Sequence, residues 1–317
     1  MHTRQLGRTD IHITHIGLGA WAIGGGDYQY GWGAQDDQQS ISAIKRALDL
    51  GINWIDTAPI YGLGRSEEIV GKAIKGRERP YVFTKCSLIW DDKRRDGHSL
   101  KSASLQREVE ASLKRLGVDV IDLYQIHWPD PDPDIEGGWS TLAKLKKEGK
   151  VRHIGVSNFN VEQLRRAERI APVEILQPPY SLLHRDVEKE ILPYCQEHNI
   201  GVIVYSPMFS GLLTGTMSAQ RLQQMPDDDW RKRDPEFQEP RLARNLRLVQ
   251  LLTEIGFPHN LPAGVAAIAW VLRHPAVTGA IVGFRNASQV EELIPASEFR
   301  LSERELRQIE EFLENNP

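Results

Sequence analysis

The stretch Gly51 Ile52 Asn53 Trp54 Ile55 Asp56 Thr57 Ala58 Pro59 Ile60 Tyr61 Gly62 is a short apolar run that ends on an acid and passes into a glycine-containing loop with a phenol. Two later runs have the same form: Val82 Phe83 Thr84 Lys85, and Leu123 Tyr124 Gln125 Ile126 His127. Each reads as a β-strand with a reactive side chain at or just past its C-terminal end. Short Ile- and Val-rich runs alternate with longer segments of helical period along the chain, the pattern of a parallel sheet with crossover helices. The strands are expected at about His15 to Gly19, Asn53 to Asp56, Val82 to Lys85, Ile121 to His127, His153 to Ser157, Glu174 to Gln177, Gly201 to Tyr205 and Gly279 to Val282. Eight such units predict an α/β fold, a closed (β/α)8 TIM barrel in one domain spanning 1–317. Right-handed crossovers then place all strand C-termini on one rim, where barrel enzymes hold their chemistry.

Working outward, Ile41, Ile44, Ala47 and Leu48 share one helical face and Val109, Leu113 and Leu116 another, the latter ended by Gly117. Arg4 to Ile13 reads as an N-terminal β-hairpin turning at Gly7 and plugging the lower mouth of the barrel. After the seventh strand, Met208 to Pro240 shows no clear period and contains Asp227 Asp228 Asp229 Trp230 Arg231 Lys232 Arg233. A loop of that length in a compact domain is either a lid or a solvated surface segment.

Asp56, Tyr61, Lys85 and His127 are the candidate catalytic residues. A phenol has a pKa of about 10, so moving a proton near neutrality calls for a drop of roughly 2 to 3 units. Lys85 would supply it by stabilising the phenolate, and Asp56 would keep Lys85 charged and aimed. His127 would donate to the oxygen of a bound carbonyl.

The chain has 317 residues, 40% hydrophobic and 26% charged, which suits a globular protein. With 39 bases and 43 acids the net charge is −4 and the signs are interspersed, so no basic face exists for a nucleic-acid backbone. No run approaches the roughly 20 apolar residues of a membrane span, and Met1 to Gln5 has no signal-peptide character, so the expected location is cytoplasmic. Cys86 and Cys195 are too few for a disulfide or zinc framework, no metal is expected, and strand alternation turns Cys86 away from Lys85. Oligomeric state is not legible; a monomer is the working expectation.

Several stretches resemble the aldo-keto reductases, and the resemblance runs nearly end to end. Gly51 to Ala58 with Tyr61 Gly62 and Ser66 Glu67 Glu68 Ile69 Val70 Gly71 is similar to that family's first signature. Gly149 Lys150 Val151 Arg152 His153 Ile154 Gly155 Val156 Ser157 Asn158 Phe159 is similar to its second. His127 Trp128 Pro129 Asp130 Pro131 and Gln177 Pro178 Pro179 Tyr180 resemble the bacterial general stress reductase branch. The resemblance implies NADPH (NADP) as cofactor and a small-molecule carbonyl compound, aldehyde or ketone, as substrate.

It also implies a distributed cofactor site. Gly19, Ala20 and Trp21 would flank the nicotinamide beside Asp56, while Ser157, Asn158 and Gln177 would hold its carboxamide and Tyr205 would stack on the ring. Ser206, Met208, Ser210, Gly211, Leu212 and Thr214 would wrap the pyrophosphate. Gly283, Arg285 and Gln289 follow the last strand, with Arg285 meeting the 2′-phosphate. Asn286 stands where relatives usually carry a basic residue, and Leu293 where some carry Asn. By spacing alone no Rossmann fingerprint is present. Trp21, Trp90 and Trp128, on loops after strands one, three and four, would form an aromatic substrate wall.

Two other classes compete. An NADPH-binding regulatory sensor is one, since potassium-channel β subunits share the fold implied. A metal- or phosphate-dependent barrel isomerase is the other, and it requires ligand clusters at strand ends that the sequence does not show.

Overall fold

The structure is a computed structural model that describes residues 1–26, 28–225 and 229–316. Its strands are β1 (Thr3–Gln5), β2 (His12–Thr14), β3 (Ile16–Gly19), β4 (Trp54–Asp56), β5 (Tyr81–Cys86), β6 (Leu88–Trp90), β7 (Asp96–His98), β8 (Ile121–Ile126), β9 (Val151–Ser157), β10 (Ile175–Gln177), β11 (Gly201–Val204) and β12 (Val277–Gly283). Strands β3, β4, β5, β8, β9, β10, β11 and β12 pair in parallel, in chain order, and β12 closes on β3. This is the expected (β/α)8 barrel, with strand ends shifted by a residue or two.

Side-chain alternation builds the site. Trp54, Phe83, Leu123, Ile175, Ile203 and Ile281 point inward and form one apolar cluster in the lumen. Two residues further along their strands, Asp56, Lys85, Gln125 and Gln177 must also point inward, so a polar layer lies directly above the apolar one. The intervening Ile55, Tyr124 and Leu176, and Val82 just before Phe83, face out into the larger core beneath the helices. Trp54 fills the lumen, its indole N–H donating to Thr14 O at 2.9 Å. A Cβ on Gly17 would lie 2.1 Å from that ring, so only glycine fits there.

The lower mouth is closed as the hairpin reading anticipates. β1 and β2 pair antiparallel around Gly7 at φ 55°, and Leu6, Ile11 and Ile13 join the lumen cluster. Polar contacts tie the plug to the barrel: His153 lies 2.7 Å from Asp10 through Nε2 and 2.9 Å from Glu174 through Nδ1. The helix Ser102–Leu116 ends at Gly117 in the left-handed region, as its sequence predicts.

Two features depart from the sequence reading. The segment after β5 is a second hairpin, β6 with β7, rather than a plain loop. The 208–240 segment has short helical turns at Leu212–Thr214, Ala219–Gln223, Trp230–Arg233 and Pro235–Phe237, and a small core in which Leu212, Met217 and Phe237 pack with Leu242 of the helix that follows. Of its acidic run, Asp227 and Asp228 lie outside the described residues. Among the described residues no single helix is long and apolar enough to cross a membrane.

Candidate active site

β4 ends on Asp56, β5 carries Lys85 and β8 leads into His127, so the three converge above the lumen cluster. Lys85 is fully buried. Its Nζ donates to Asp56 Oδ1 at 2.5 Å and to Thr57 O at 3.0 Å, and it stands 3.5 Å from the Tyr61 hydroxyl. The second Asp56 oxygen accepts from Gln177 Nε2 at 2.9 Å and Gln125 Nε2 at 3.4 Å. Such charge-assisted contacts hold an ion pair that would be costly to bury alone. The Tyr61 and His127 rings meet edge to face at 5.8 Å. All four candidate catalytic residues thus come together.

The electrostatics differ from the expectation for Tyr61. Its low-dielectric surroundings, and secondarily the Asp56 carboxylate, push the phenol well above its ordinary pKa. The expected drop is absent because Lys85 spends its charge on Asp56. Burial also pulls Lys85 down while Asp56 pulls it back up. A phenol held neutral is a competent acid but a poor resting base. His127 is held neutral too, since burial first and the Lys85 charge second put its pKa well below the usual imidazole value. Its Nδ1 is buried with no hydrogen-bond partner, so a proton there would be stranded. The proton therefore belongs on Nε2, making His127 a donor toward the cavity it lines.

That cavity, about 550 Å³, opens at the rim. Asp56, Tyr61 and His127 line it, with Lys85 beneath. Of the cofactor candidates, Gly19, Ala20, Trp21, Ser157, Asn158, Gln177, Tyr205, Ser206, Met208, Ser210, Gly211, Thr214, Gly283, Arg285 and Gln289 also line it. Leu212 does not: its side chain is buried in the core of the 208–240 segment and its N–H is taken by Phe209 O at 3.0 Å. Asn158 is positioned by Tyr205, whose hydroxyl donates to Asn158 Oδ1 at 2.8 Å, and itself donates to His127 O at 2.9 Å. A second recess of about 630 Å³ is lined by Gln35, Asp36, Arg221, Arg285, Asn286 and Gln289, among others. Arg285 is pre-set there, donating to Gln35 Oε1 at 2.7 Å and Ala34 O at 2.6 Å. Asn286 caps the following helix by accepting from Gln289 N at 3.0 Å.

The donor set fits a dinucleotide. Gly211 and Gly283 line the cavity with open space where a side chain would stand, and Arg221 and Arg285 line both recesses. Small backbone-exposing residues and guanidinium groups suit a pyrophosphate and a phosphate end. Among the described residues no group of three or more His, Cys, Asp and Glu could hold a metal ion.

On the substrate side, Trp21 and Trp128 line the cavity, whereas Trp90 does not. Trp90 is drawn aside by the β6–β7 hairpin and packs against a cluster of Ala58, Ile60 and Leu88, so Leu88 supplies the wall from that loop. Trp21 instead lies between Tyr61 at 6.1 Å and Trp230 at 6.2 Å, both stacked, with Trp32 edge-on to Trp21 at 5.3 Å. Arg231 sits over the Trp32 ring at 4.9 Å. Sequence reasoning missed Trp32, Trp230, Arg221 and Arg231. The signal for Trp32 was its setting, Gly31 Trp32 Gly33, in a glycine-rich loop after the first strand. No periodicity marks the others.

A closed (β/α)8 barrel with an acid, a phenol, an ammonium and an imidazole at its C-terminal rim defines an oxidoreductase of the reductase barrel class. The chain belongs to the aldo/keto reductase family, whose description matches residues 15–314. Members use nicotinamide cofactors. The aldo-keto reductase YhdN of Bacillus subtilis is 40% identical over 99% of this chain and 94% of its own. The NADH-specific methylglyoxal reductase of Escherichia coli is 36% identical over 98% of each chain. Among solved structures, a glycerol dehydrogenase from Gluconobacter oxydans superposes with a TM-score of 0.90 at 38% identity, covering 99% of this chain and 95% of that one.

Proposed function

We propose that the protein reduces aldehydes and ketones to alcohols with NADPH, Tyr61 acting as the proton donor. The observation that carries this is the convergence on one cavity of Tyr61, Lys85 3.5 Å from its hydroxyl, and a His127 whose buried Nδ1 leaves Nε2 to donate. Trp21, Asn158, Gln177 and Tyr205 line the cavity and would hold a nicotinamide, which when bound would supply the hydride for the carbonyl carbon. His127 Nε2–H orients the carbonyl oxygen and takes up part of its developing charge. Tyr61 then passes its proton to that oxygen, and Lys85 at 3.5 Å stabilises the phenolate left behind. The raised Tyr61 pKa keeps the phenol protonated at neutral pH, so the proton needed for reduction is in place beforehand. The aromatic wall of Trp21, Trp32 and Trp128, with Trp230 stacked on Trp21, suits apolar or planar substrates.

The preference for NADPH rests on Arg285 and Arg221, which both line the recess beyond the main cavity. A relative is named as NADH-specific, so the preference is a property to measure. Incubation with NADPH or NADH and a panel of aldehydes and ketones, following cofactor absorbance, tests the reading. Arg285→Ala should weaken NADPH by about 1.5 to 3 kcal/mol and NADH little. Equal losses would remove Arg285 as the phosphate reader, and no oxidation of either cofactor would remove the reductase reading.

A further inference from the structure

Glu108 lies on the helix Ser102–Leu116, behind the strand that carries Lys85. One of its carboxylate oxygens accepts from the Ser87 N–H at 2.8 Å and the other from Ser104 Oγ at 2.9 Å. Ser87 is two residues past Lys85 and has φ 80°, a left-handed conformation costly for any residue with a side chain. Its hydroxyl is 3.4 Å from both the N and the O of Trp128, and its carbonyl accepts from Ser99 N at 2.9 Å. One residue earlier, Cys86 O accepts from His127 N at 3.0 Å. The turn held by Glu108 is therefore the joint where the ends of β5 and β8 meet, with Lys85 on one side and His127 and Trp128 on the other.

The buried carboxylates of Asp56, Glu67, Asp122 and Glu174 each contact a cation. Glu108 differs: among the described residues it forms no ion pair, and its two close contacts are the Ser87 N–H and the Ser104 hydroxyl. We propose that Glu108 is a positioning residue for carbonyl reduction, its carboxylate holding Ser87 in the left-handed turn that sets His127 and Trp128 against the cavity. This rests on the reductase reading above.

The proposal has a pH consequence. Burial pushes the Glu108 carboxyl up to about 7, opposed by the hydrogen bonds from Ser104 and Ser87 and, more weakly, by Arg107 and Arg115 on its own helix. The groups facing it from the barrel are the Cys86 thiol and the Tyr124 hydroxyl, both of which burial keeps neutral, and Glu67 on the neighbouring helix is held by Arg115. Within the catalytic set His127 is pushed far below neutrality and Tyr61 far above it. The His98 imidazole also lines the cavity, so a limb near pH 7 in substrate binding is assigned to Glu108 by its loss in Glu108→Gln, which leaves His98 in place. Protonation replaces a charged acceptor by a neutral one and weakens the hold on Ser87.

The test is kcat and KM for an aldehyde with saturating NADPH, between about pH 5 and 9, for the wild type, Glu108→Gln, Glu108→Ala and Glu108→Ala with Ser87→Gly. The wild-type KM should rise several-fold as pH falls through about 7, with kcat nearly flat. Glu108→Gln should lose that limb and stay at the raised value. Glu108→Ala should raise KM roughly tenfold, and Ser87→Gly should restore most of it, because glycine takes a positive φ without an anchor. A Glu108→Gln enzyme with the wild-type limb, or a folded double variant that recovers nothing, overturns the proposal. Should Glu108→Ala fail to fold, the Gln variant decides alone. A wild-type chain that turns over no carbonyl would overturn the reductase reading itself.

Discussion

Neutralising one member of the Asp56–Lys85 pair should damage the protein more than neutralising both. Lys85 is fully exposed to no solvent at all, and its ammonium has one carboxylate at 2.5 Å and one carbonyl at 3.0 Å. Asp56→Asn removes the countercharge and leaves that ammonium uncompensated, a situation that costs about 3 to 5 kcal/mol. Lys85→Met keeps the bulk but strands a carboxylate whose remaining support is the amides of Gln125 and Gln177 at 3.4 and 2.9 Å, and it should cost a similar amount. In the double variant neither charge is present and Gln177 still has an amide oxygen to donate to. Replacing a buried pair by neutral groups is often close to neutral in stability. The double variant should therefore be more stable than the sum of the single losses by at least about 2 kcal/mol. Urea unfolding of the four proteins at neutral pH gives this coupling directly. Additivity within about 0.5 kcal/mol would refute the argument, for it would mean that the two charges do not depend on each other. The Asp56→Asn protein carries a second expectation: the carboxylate raises the Tyr61 pKa, so the phenol should titrate lower once it is gone.

Other expectations follow from single contacts. Trp230→Ala removes one face of the stack on Trp21 at 6.2 Å and should raise KM for aromatic aldehydes about 2- to 10-fold; an unchanged KM would make Trp230 a bystander. Because burial raises the folded Glu108 pKa to about 7 above its ordinary value, the folded state holds that proton more tightly than the unfolded chain. The associated stability is full below the unfolded pKa and is lost as pH climbs through about 7, so Glu108→Gln, neutral throughout, should gain on the wild type by up to about 3 kcal/mol between pH 5 and 8. A parallel pH dependence of the two proteins in urea titrations would contradict this. His153→Leu deprives Asp10 and Glu174 of a shared partner at the barrel floor and should cost about 1 to 3 kcal/mol in the same assay. No loss would show that His153 is not part of what holds the plug, leaving it to Leu6, Ile11 and Ile13 and to other ties such as Arg152 to Asp10.

The barrel was legible because strand alternation and helical period repeat along the chain, and because residues such as Trp54 and Asp56 are spaced so that one fills the lumen and the other reaches the rim. The meeting of Asp56, Tyr61, Lys85 and His127 was legible from their places at strand ends. The state of Tyr61 was not, since its pKa depends on whether Lys85 faces the phenol or the carboxylate, a matter of distances of 3.5 and 2.5 Å. Trp90 was misplaced as a wall residue because three residues of β6 give too short an alternation to reveal a hairpin. Leu212 was placed on the cofactor because the resemblance names a segment, whereas the segment has an inward face of its own. Arg231 reaches the cavity and Trp230 backs Trp21 from a loop without period, through contacts far apart in sequence that no local pattern encodes.

The proposed reaction turns on Tyr61 giving up the proton that completes carbonyl reduction. Its most direct test is the single-turnover rate of NADPH oxidation by a good aldehyde in the wild type and in Tyr61→Phe, with cofactor binding measured separately by fluorescence. NADPH affinity should be nearly unchanged and the rate lowered by about 10²- to 10⁴-fold. A Tyr61→Phe protein that binds NADPH and keeps most of its turnover would contradict it, and the proton would then have to come from elsewhere, His127 first.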